Sequence, residues 1–558
     1  MASTISSTII IIPARGGSKE IPRKNLKLLG GEPLLQHILS TVKNLNNCEV
    51  IVSTDDSEIE YLANNNQVKT IQRPPEFATD KATLDEVVID AVKTVESNMN
   101  HRFEKVITIQ PTSPFISTKS ILSAINLLDG NDCVISVVDS RHLRWGEDEN
   151  GPKPLYEIRT NRQWLPPTWS ETGGIIGCSR ESLETGSRIN GNVALLKLMG
   201  HEAIDIDTHI DWALAETLLS TPTVAIRVIG DTEHGLGHVF RGLTIASRLN
   251  SKPLFITDDK STLAKELIIS KNYNCSEYSK SSDLVKILLE NQIDVLLNDV
   301  LDTTQEEMNF LKEKTNCIIS NFEDLGTGSS VADVTFNALY EHKNPLPNQR
   351  YGWEWFCARD EFCNLESPAH NNEQIKVLVT FGGTDPRNLT TEVINALSDE
   401  HNISNLLEIT VILGPGNNNG DQIKQLIDNL KQSFASIELL TKVERISKYM
   451  QDADIAITSN GRTVFEIAVC ETPMITISQN ERETLHTFSQ KCKGAIDLGY
   501  SIKFPKSSFL EAISNLTQDK LLRDQMKEEL SKYNLTSGTE RVISEINRLY
   551  KNGRIKNV

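Results

Sequence analysis

A chain of 558 residues is too long for one hydrophobic core and implies two to four domains. Hydrophobic residues make up 39%, enough for ordinary globular cores, yet no run approaches the roughly 20 apolar residues of a membrane span. The formal net charge of −18 argues against general nucleic-acid binding, which favours basic surfaces. The run Ile9 to Ile12 follows no basic segment and precedes no small-residue cleavage site, so it reads as a buried strand and not a secretion signal. Nine cysteines without a C-x-x-C pair suggest neither a zinc site nor a disulfide framework, and a reduced, cytoplasmic protein is expected.

The chain opens with alternating strand and helix patterns. TIIIIP (from Thr8), EVIVS (from Glu49), KVITIQ (from Lys105) and CVISVV (from Cys133) are β-branched runs, separated by amphipathic stretches such as those from Pro33 and Ser120. This alternation predicts a parallel sheet covered by helices. The pattern lapses from Ser140 to Thr172, a stretch rich in Arg, Trp and Pro that reads as an insertion, and the series ends with the helix from Asp211. A polar link, Ser220 to Thr223, precedes a second series: VAIRVIG (from Val224), DVLLN (from Asp294) and CIIS (from Cys317). A polar stretch from His370 precedes a third, beginning IKVLVTFGG. The expected domains are therefore 1–220, 224–365 and 374–558, the last two forming facing Rossmann-like lobes. No repeat or low-complexity segment is evident.

Directly after the first strand stands IPARGGSKEIPRKN, Ile12 to Asn25. Gly16 and Gly17 let the backbone approach a ligand, so that its N–H groups cradle phosphate oxygens. Arg15, Lys19, Arg23 and Lys24 add positive charge and Ser18 a hydroxyl donor. The bland alternative is a basic surface turn. Far along the chain, IDIDTHID runs from Ile204 to Asp211. In an extended segment Asp205 and Asp207 share a face and suit Mg2+, which prefers oxygen ligands. Thr208 with Asp211 reads as a helix cap, which accounts for those two residues but not for the Asp pair.

Together these residues resemble the acylneuraminate cytidylyltransferases, or CMP-sialic acid synthetases. The likeness covers about residues 8 to 218 through PARGGSK-x-IPRKN, VSTDD (Val52 to Asp56), RP-x-E (Arg73 to Glu76), QPTSP (Gln110 to Pro114) and DIDT-x-x-D. It implies a Rossmann-like nucleotidyltransferase domain in which Arg15, Gly16, Gly17, Ser18, Asn25, Arg73 and Gln110 hold CTP. Lys19 and Lys24 would offset triphosphate charge as catalytic residues, and Asp205 and Asp207 would bind the metal. Arg162-Gln163 would face a nonulosonic (sialic, pseudaminic or legionaminic-type) acid, and the 140–172 insertion would form a homodimer. The implied reaction is attack of the anomeric hydroxyl on the α-phosphorus of CTP, releasing pyrophosphate. The alternative sugar is 3-deoxy-manno-octulosonate. Glu20 and Phe115-Ile116 depart from the family pattern.

The second series carries EHGLGHVFR, Glu233 to Arg241, where Gly235 and Gly237 form a tight turn before a helix suited to a diphosphate. His238 at that turn is an acid or base near neutral pH. FGGTDPRN (Phe381 to Asn388) and SNGRTVFE (Ser459 to Glu466) provide two more Gly-rich turns after predicted strands. Simple Rossmann turns are the alternative. From about Val224 to Leu549 the chain resembles the UDP-sugar hydrolase of pseudaminic acid synthesis, related in fold to two-lobed, glycosyltransferase-B-like enzymes. Shared segments include G-x-GH-x-x-R, YGWEWFCARDEF (from Tyr351), FGGTDP and G-x-T-x-x-E. The resemblance implies that His238 activates water against a UDP-linked amino sugar. It assigns Gly235, Gly237, Arg241, Gly383, Gly461, Thr463, Glu466 and Asn480 to that ligand, with no metal in this half. Asn298-Asp299-Val300 and Asn480-Glu481 depart from the relatives' pattern. A glycosyltransferase, or a lobe that only binds, are the alternatives. Such a fusion fits nonulosonic acid biosynthesis, with contact to the nonulosonate synthase as a further expectation.

Overall fold

A computed structural model describes residues 6–43, 45–79, 81–231, 235–365, 374–441 and 443–556. Glu233 and His234 of the first cleft turn, and all of the HNNEQ link except Gln374, lie outside them. The chain divides into two units, residues 1–220 and 221–558.

In the first unit the isoleucine run forms the strand Thr8–Pro13 at the heart of a seven-stranded sheet. Successive side chains of a strand point to opposite faces. Ile10 and Ile12 accordingly join Leu35, Ile38 and Leu39 in one core, whereas Ile9 and Ile11 pack with Val88, Val92 and Phe103 in another. Burial on both faces explains a continuous apolar run where alternation would mark a half-exposed strand. The sheet order is Val193–Lys197, Cys133–Asp139, Trp169–Ser179, Lys105–Ile109, Thr8–Pro13, Glu49–Thr54, Lys69–Gln72. Contrary to the all-parallel expectation, Trp169–Ser179 runs antiparallel to both neighbours. Its register slips between Glu171 and Ile176, where Gly173 takes φ +71°. The insertion forms a ribbon, Trp145–Asp148 against Gly151–Pro154, and a short helical turn Arg162–Trp164.

The second unit holds two parallel sheets. The first has seven strands in the order Cys275–Tyr278, Leu254–Asp258, Val224–Val228, Val295–Asp299, Ile318–Phe322, Val334–Asn337, Gln349–Tyr351. The second has six: Ser436–Thr441, Leu407–Leu413, Ile375–Val379, Ile455–Thr458, Met474–Thr476, Ala495–Asp497. The lobes exchange chain in both directions. Phe356, Ala358 and Phe362, which follow the last strand of the first sheet, sit in the core of the second lobe, with Phe356 stacked on Phe465 at 4.6 Å. Conversely the terminal helix Gly538–Lys556, expected with the second lobe, places Val542, Ile546 and Tyr550 against Val224, Ile226 and Phe322 of the first. Each large apolar side chain so buried contributes about 1.5–3 kcal/mol, so the exchange ties the lobes firmly. No helix among the described residues is long and apolar enough to cross a membrane.

Candidate functional site

The first site is a cavity of about 540 Å³ at the carboxyl end of strand Thr8–Pro13. Arg15, Ser18, Lys19, Lys24, Asn25, Arg73, Gln110 and Asp207 all line it, so the structure gathers residues spread over nearly 200 positions. Their individual roles differ from the sequence expectation in several places. Gly16 does not offer its N–H to a ligand here: that group donates to Asp55 Oδ1 at 3.0 Å. A Cβ on Gly16 would lie 2.5 Å from Asp56 Oδ2, so close packing demands glycine. Gly17 has open space around it. Asn25 is buried and donates to Arg15 O at 3.0 Å, holding the loop's shape. Arg23 takes the left-handed conformation and pairs with Asp56 and Glu58, outside the cavity lining. Arg73 is buried against Ser53 O at 2.8 Å; burial lowers its pKa, opposed by the nearby Asp55 carboxylate.

Lys24 connects the loop to the acidic pair. Its Nζ donates to Ile206 O at 2.7 Å and to Asp207 Oδ1 at 3.2 Å. Asp211 Oδ2 accepts from the N–H groups of Asp207 and Thr208 and from the Thr208 hydroxyl, so the helix cap forms without using the Asp pair's carboxylates. Asp205 Oδ1 is buried with no hydrogen-bond partner among the described residues, and burial raises the Asp205 pKa. An orphaned carboxylate oxygen beside a second carboxylate fits a hard divalent cation. No third His, Cys, Asp or Glu joins them in a cluster among the described residues, so other ligands would come from phosphate or water. Glu20, the family departure, is exposed and lines the same cavity.

Gly173 is a member of this site that sequence reasoning missed. Its carbonyl accepts from Gln110 Nε2 at 2.9 Å, and a Cβ there would lie 3.1 Å from that nitrogen and 3.3 Å from Asp205 Oδ2. The only sequence signal was a Gly-Gly pair inside an apolar run. Arg162 and Gln163, by contrast, are exposed on the insertion and do not line the cavity.

The second site is the cleft where the three Gly-rich turns meet. A Cβ on Gly235 would lie 3.9 Å from Thr384 Cγ2, one on Gly237 3.4 Å from Arg462 Cδ, and one on Gly383 3.8 Å from Leu236 N. The turns of the two lobes thus face each other at side-chain distance. His238, in the first turn of helix Gly237–Ala246, is buried with Nδ1 2.6 Å from Asp299 Oδ1. Arg241, one turn on, donates Nε to Asp299 Oδ2 at 2.6 Å, Nη2 to Oδ1 at 2.7 Å and Nη1 to Glu323 Oε1 at 2.8 Å. Burial alone would raise the Asp299 pKa, but the Arg241 cation and the hydrogen bonds from His238 and Arg241 overcome it and hold the carboxyl well below its usual range. Asp299 therefore accepts from His238 Nδ1–H, leaving Nε2 as the basic nitrogen. Sequence reading noted Asp299 only as part of a departure; here it is the partner that orients the histidine.

Two more of the expected ligand residues have partners within the protein. Glu466 is buried, and both its oxygens accept from Arg359, at 2.9 and 3.1 Å. Asn480 is exposed, and its Oδ1 accepts from Glu483 N at 3.0 Å, within the turn Arg482–Leu485. Gly461 lies beside Glu483, whose Oε1 would be 3.5 Å from an added Cβ, and Thr463 Oγ1 would be 3.5 Å from one on Gly382. Burial pushes Glu483 up to about 7. Arg482 ties the lobes a second time, donating to Asp302 at 2.7 and 2.9 Å and to Glu323 O at 2.9 Å.

Fold and sites define a mixed α/β protein with a nucleotidyltransferase-like unit followed by a two-lobed, glycosyltransferase-B-like unit. Residues 9–144 match the Cytidylyltransferase family model, and residues 377–549 match the Glycosyltransferase family 28 C-terminal domain. CMP-N,N'-diacetyllegionaminic acid synthase of Legionella pneumophila is 33% identical over 225 residues, which is 38% of this chain and 95% of that protein. By its amino-terminal unit the chain belongs to the cytidylyltransferase family. N-acylneuraminate cytidylyltransferase A of Danio rerio is 33% identical over 217 residues, 37% of this chain and 49% of the relative, so the chain spans about half of that protein's length. The crystal structure of MurG from Acinetobacter baumannii matches 59% of this chain and 100% of its own at 13% identity, with a TM-score of 0.45.

Proposed function

We propose that the amino-terminal unit transfers CMP from CTP to the anomeric hydroxyl of a nonulosonic acid of the sialic or legionaminic type, releasing pyrophosphate. The observation that carries this reading is the cavity where Arg15, Lys19 and Lys24 meet Asp207, which Lys24 holds by its Nζ, with Asp205 Oδ1 buried two residues before it. The similarity to proteins named for N-acylneuraminate and legionaminic acid supports the sugar class. Asp205 and Asp207 would hold Mg2+, which supplies charge neutralisation on the triphosphate. Lys19 and Lys24 add positive charge at the triphosphate, and Arg73 and Gln110, held by Ser53 and Gly173, shape the nucleotide side of the cavity. A homodimer through the 140–172 insertion is supported by Trp145, Leu155, Ile158 and Trp164, which stand 58, 62, 76 and 72% exposed. In one chain Arg162 and Gln163 stay outside the cavity, so their contact with the sugar acid depends on that dimer.

For the second unit we infer chemistry at the anomeric carbon of a UDP-linked amino sugar, with His238 Nε2 as base. The His238–Asp299 contact of 2.6 Å carries this reading, because it selects the tautomer that can take a proton. Water as the attacking group makes the unit a hydrolase. A sugar hydroxyl makes it a glycosyltransferase, a reading favoured by the family 28 match over residues 377–549.

The full chain, offered CTP, Mg2+ and a panel of sialic, legionaminic, pseudaminic and octulosonic acids, is expected to form a CMP-sugar visible by mass spectrometry. Asp205→Asn should reduce turnover by a hundredfold or more without lowering thermal stability. Turnover with the octulosonic acid alone, or a fully active Asp205→Asn, overturns the assignment. UDP released from a UDP-diacetamido-trideoxyhexose, and lost in His238→Ala, marks the hydrolase; sugar transferred to an acceptor marks the transferase.

A further inference from the structure

Three arginines around the cleft rest on carboxylates: Arg241 on Asp299 and Glu323, Arg359 on Glu361 and Glu466, and Arg482 on Asp302. A fourth, Arg462, has no carboxylate partner among the described residues. Its Nη2 donates to Cys357 O at 3.0 Å and its guanidinium lies 4.8 Å from the centre of the Phe356 ring. Its Nη1 is buried and has no hydrogen-bond partner among the described residues. Burial, reinforced by the neighbouring Arg241 cation, pushes the Arg462 pKa down to about 10, which leaves it charged at neutral pH. A half-buried cation with one buried, unsatisfied N–H costs stability, and folds retain such groups where a ligand completes them.

The position of Arg462 says what kind of ligand that is. It lies between Gly461 and Thr463, on the turn of the second lobe that faces the first. Its Cδ would be 3.4 Å from a Cβ on Gly237, so glycine there keeps the guanidinium against the opening turn of the ten-residue helix Gly237–Ala246. An unpartnered guanidinium N–H on a side chain packed against the opening turn of a helix matches a phosphate, whose several oxygens can accept from the guanidinium and from helix N–H groups at once. A sugar hydroxyl or a base edge would give Nη1 no charged acceptor.

We propose that Arg462 Nη1 binds the diphosphate of a nucleoside-diphosphate sugar and stabilises the charge that forms on the departing phosphate oxygen. The proposal rests on the nucleotide-sugar reading of this cleft and adds a residue to it. In the step concerned, the bond between the anomeric carbon and the β-phosphate oxygen breaks, and its electron pair stays on that oxygen. The attacking oxygen, of water or an acceptor hydroxyl, forms the new bond to carbon and gives its proton to His238 Nε2. The nucleoside diphosphate leaves with one more negative charge than it carried as an ester, next to Arg462.

The test is calorimetric titration of the full-length wild type, Arg462→Met and Arg462→Lys with UDP and with uridine. The expected result is a ten- to hundredfold loss of UDP affinity in Arg462→Met, a smaller loss in Arg462→Lys, and uridine affinity within threefold of wild type in both. Because the wild-type cation has no carboxylate partner among the described residues, Arg462→Met should melt at the same temperature as wild type or higher, which a purely structural arginine would not allow. Wild-type affinity for UDP in Arg462→Met overturns the proposal, as does an equal loss for UDP and uridine or a destabilised Arg462→Lys. A wild-type protein that binds neither compound refutes the nucleotide-sugar reading itself, a separate outcome.

Discussion

Replacing Asp299 by Asn tests whether the buried His238–Asp299–Arg241 group is a working unit. Asp299 accepts three charge-assisted hydrogen bonds, two on Oδ1 and one on Oδ2, all at 2.6 or 2.7 Å. Asparagine keeps the shape but turns one oxygen into an NH2 that faces a donor, and it removes the charge opposite Arg241. A charge-assisted bond is worth about 1.5–3 kcal/mol, and breaking a buried ion pair about 3–5 kcal/mol. Glu323 still receives Arg241 Nη1 at 2.8 Å, which places the expected loss near the lower end, at about 3 kcal/mol. Hydrogen exchange across helix Gly237–Ala246 should then rise about a hundredfold, since about 1.4 kcal/mol is tenfold. UDP release should fall by about 10²- to 10⁴-fold as His238 loses its orienting acceptor. The native Asp299 pKa lies below the unfolded value of about 4, so its contribution is complete above that pH. The part of the stability gap that the Asp299 carboxylate itself contributes should therefore be lost only as the pH falls through the native pKa. Exchange within a few-fold of wild type, together with unchanged UDP release, would refute this account of the site.

Two other perturbations separate local roles. Gly173→Ala must hold φ +71° and press a methyl between Gln110 and Asp205, so it should cost about 1–3 kcal/mol and weaken CTP binding about tenfold by calorimetry. Gly130→Ala, at φ +109° in open space, is the control that strains the backbone without touching CTP affinity. Glu483, held at about 7 by burial, favours the native state below its unfolded pKa of about 4.3, and that contribution is lost as pH rises through 7. Glu483→Gln should therefore gain on wild type by on the order of 1 kcal/mol between pH 5 and 8, read as the difference between two melting profiles. A flat difference removes Glu483 from the list of buried acids. His486, pushed down to about 4 by burial, has the opposite sign and is present in both proteins, so it cancels.

Much of the architecture was legible along the chain. The Ile9 to Ile12 run announced a strand buried on both faces, the Gly-rich turns stand at the ends of β-branched runs that are strands, and the units divide after Ser220, at the polar link. Those features depend on side-chain type and short-range periodicity, which a sequence displays directly. The antiparallel strand Trp169–Ser179 was not legible, because its direction is set by where the insertion returns the chain and not by its own composition. Nor was the exchange of Phe356 and of helix Gly538–Lys556 between lobes, since an apolar face does not specify which core it fills.

At the sites the division is sharper. Sequence alone determined the inventory: a basic Gly-rich loop, an Asp pair two residues apart, a histidine at a helix start, and three glycine turns. Only the tertiary structure decided how those groups are spent. Asp299, 61 residues from His238, orients it, while Arg359, 107 residues from Glu466, occupies both of its oxygens. Gly16 serves packing against Asp56, and Arg23 turns to Asp56 and Glu58, while Lys24 reaches Asp207 from the far end of the unit. The physical reason is that a charged or polar side chain states what it can bind, whereas its partner is whichever complementary group the packed chain brings within about 3 Å.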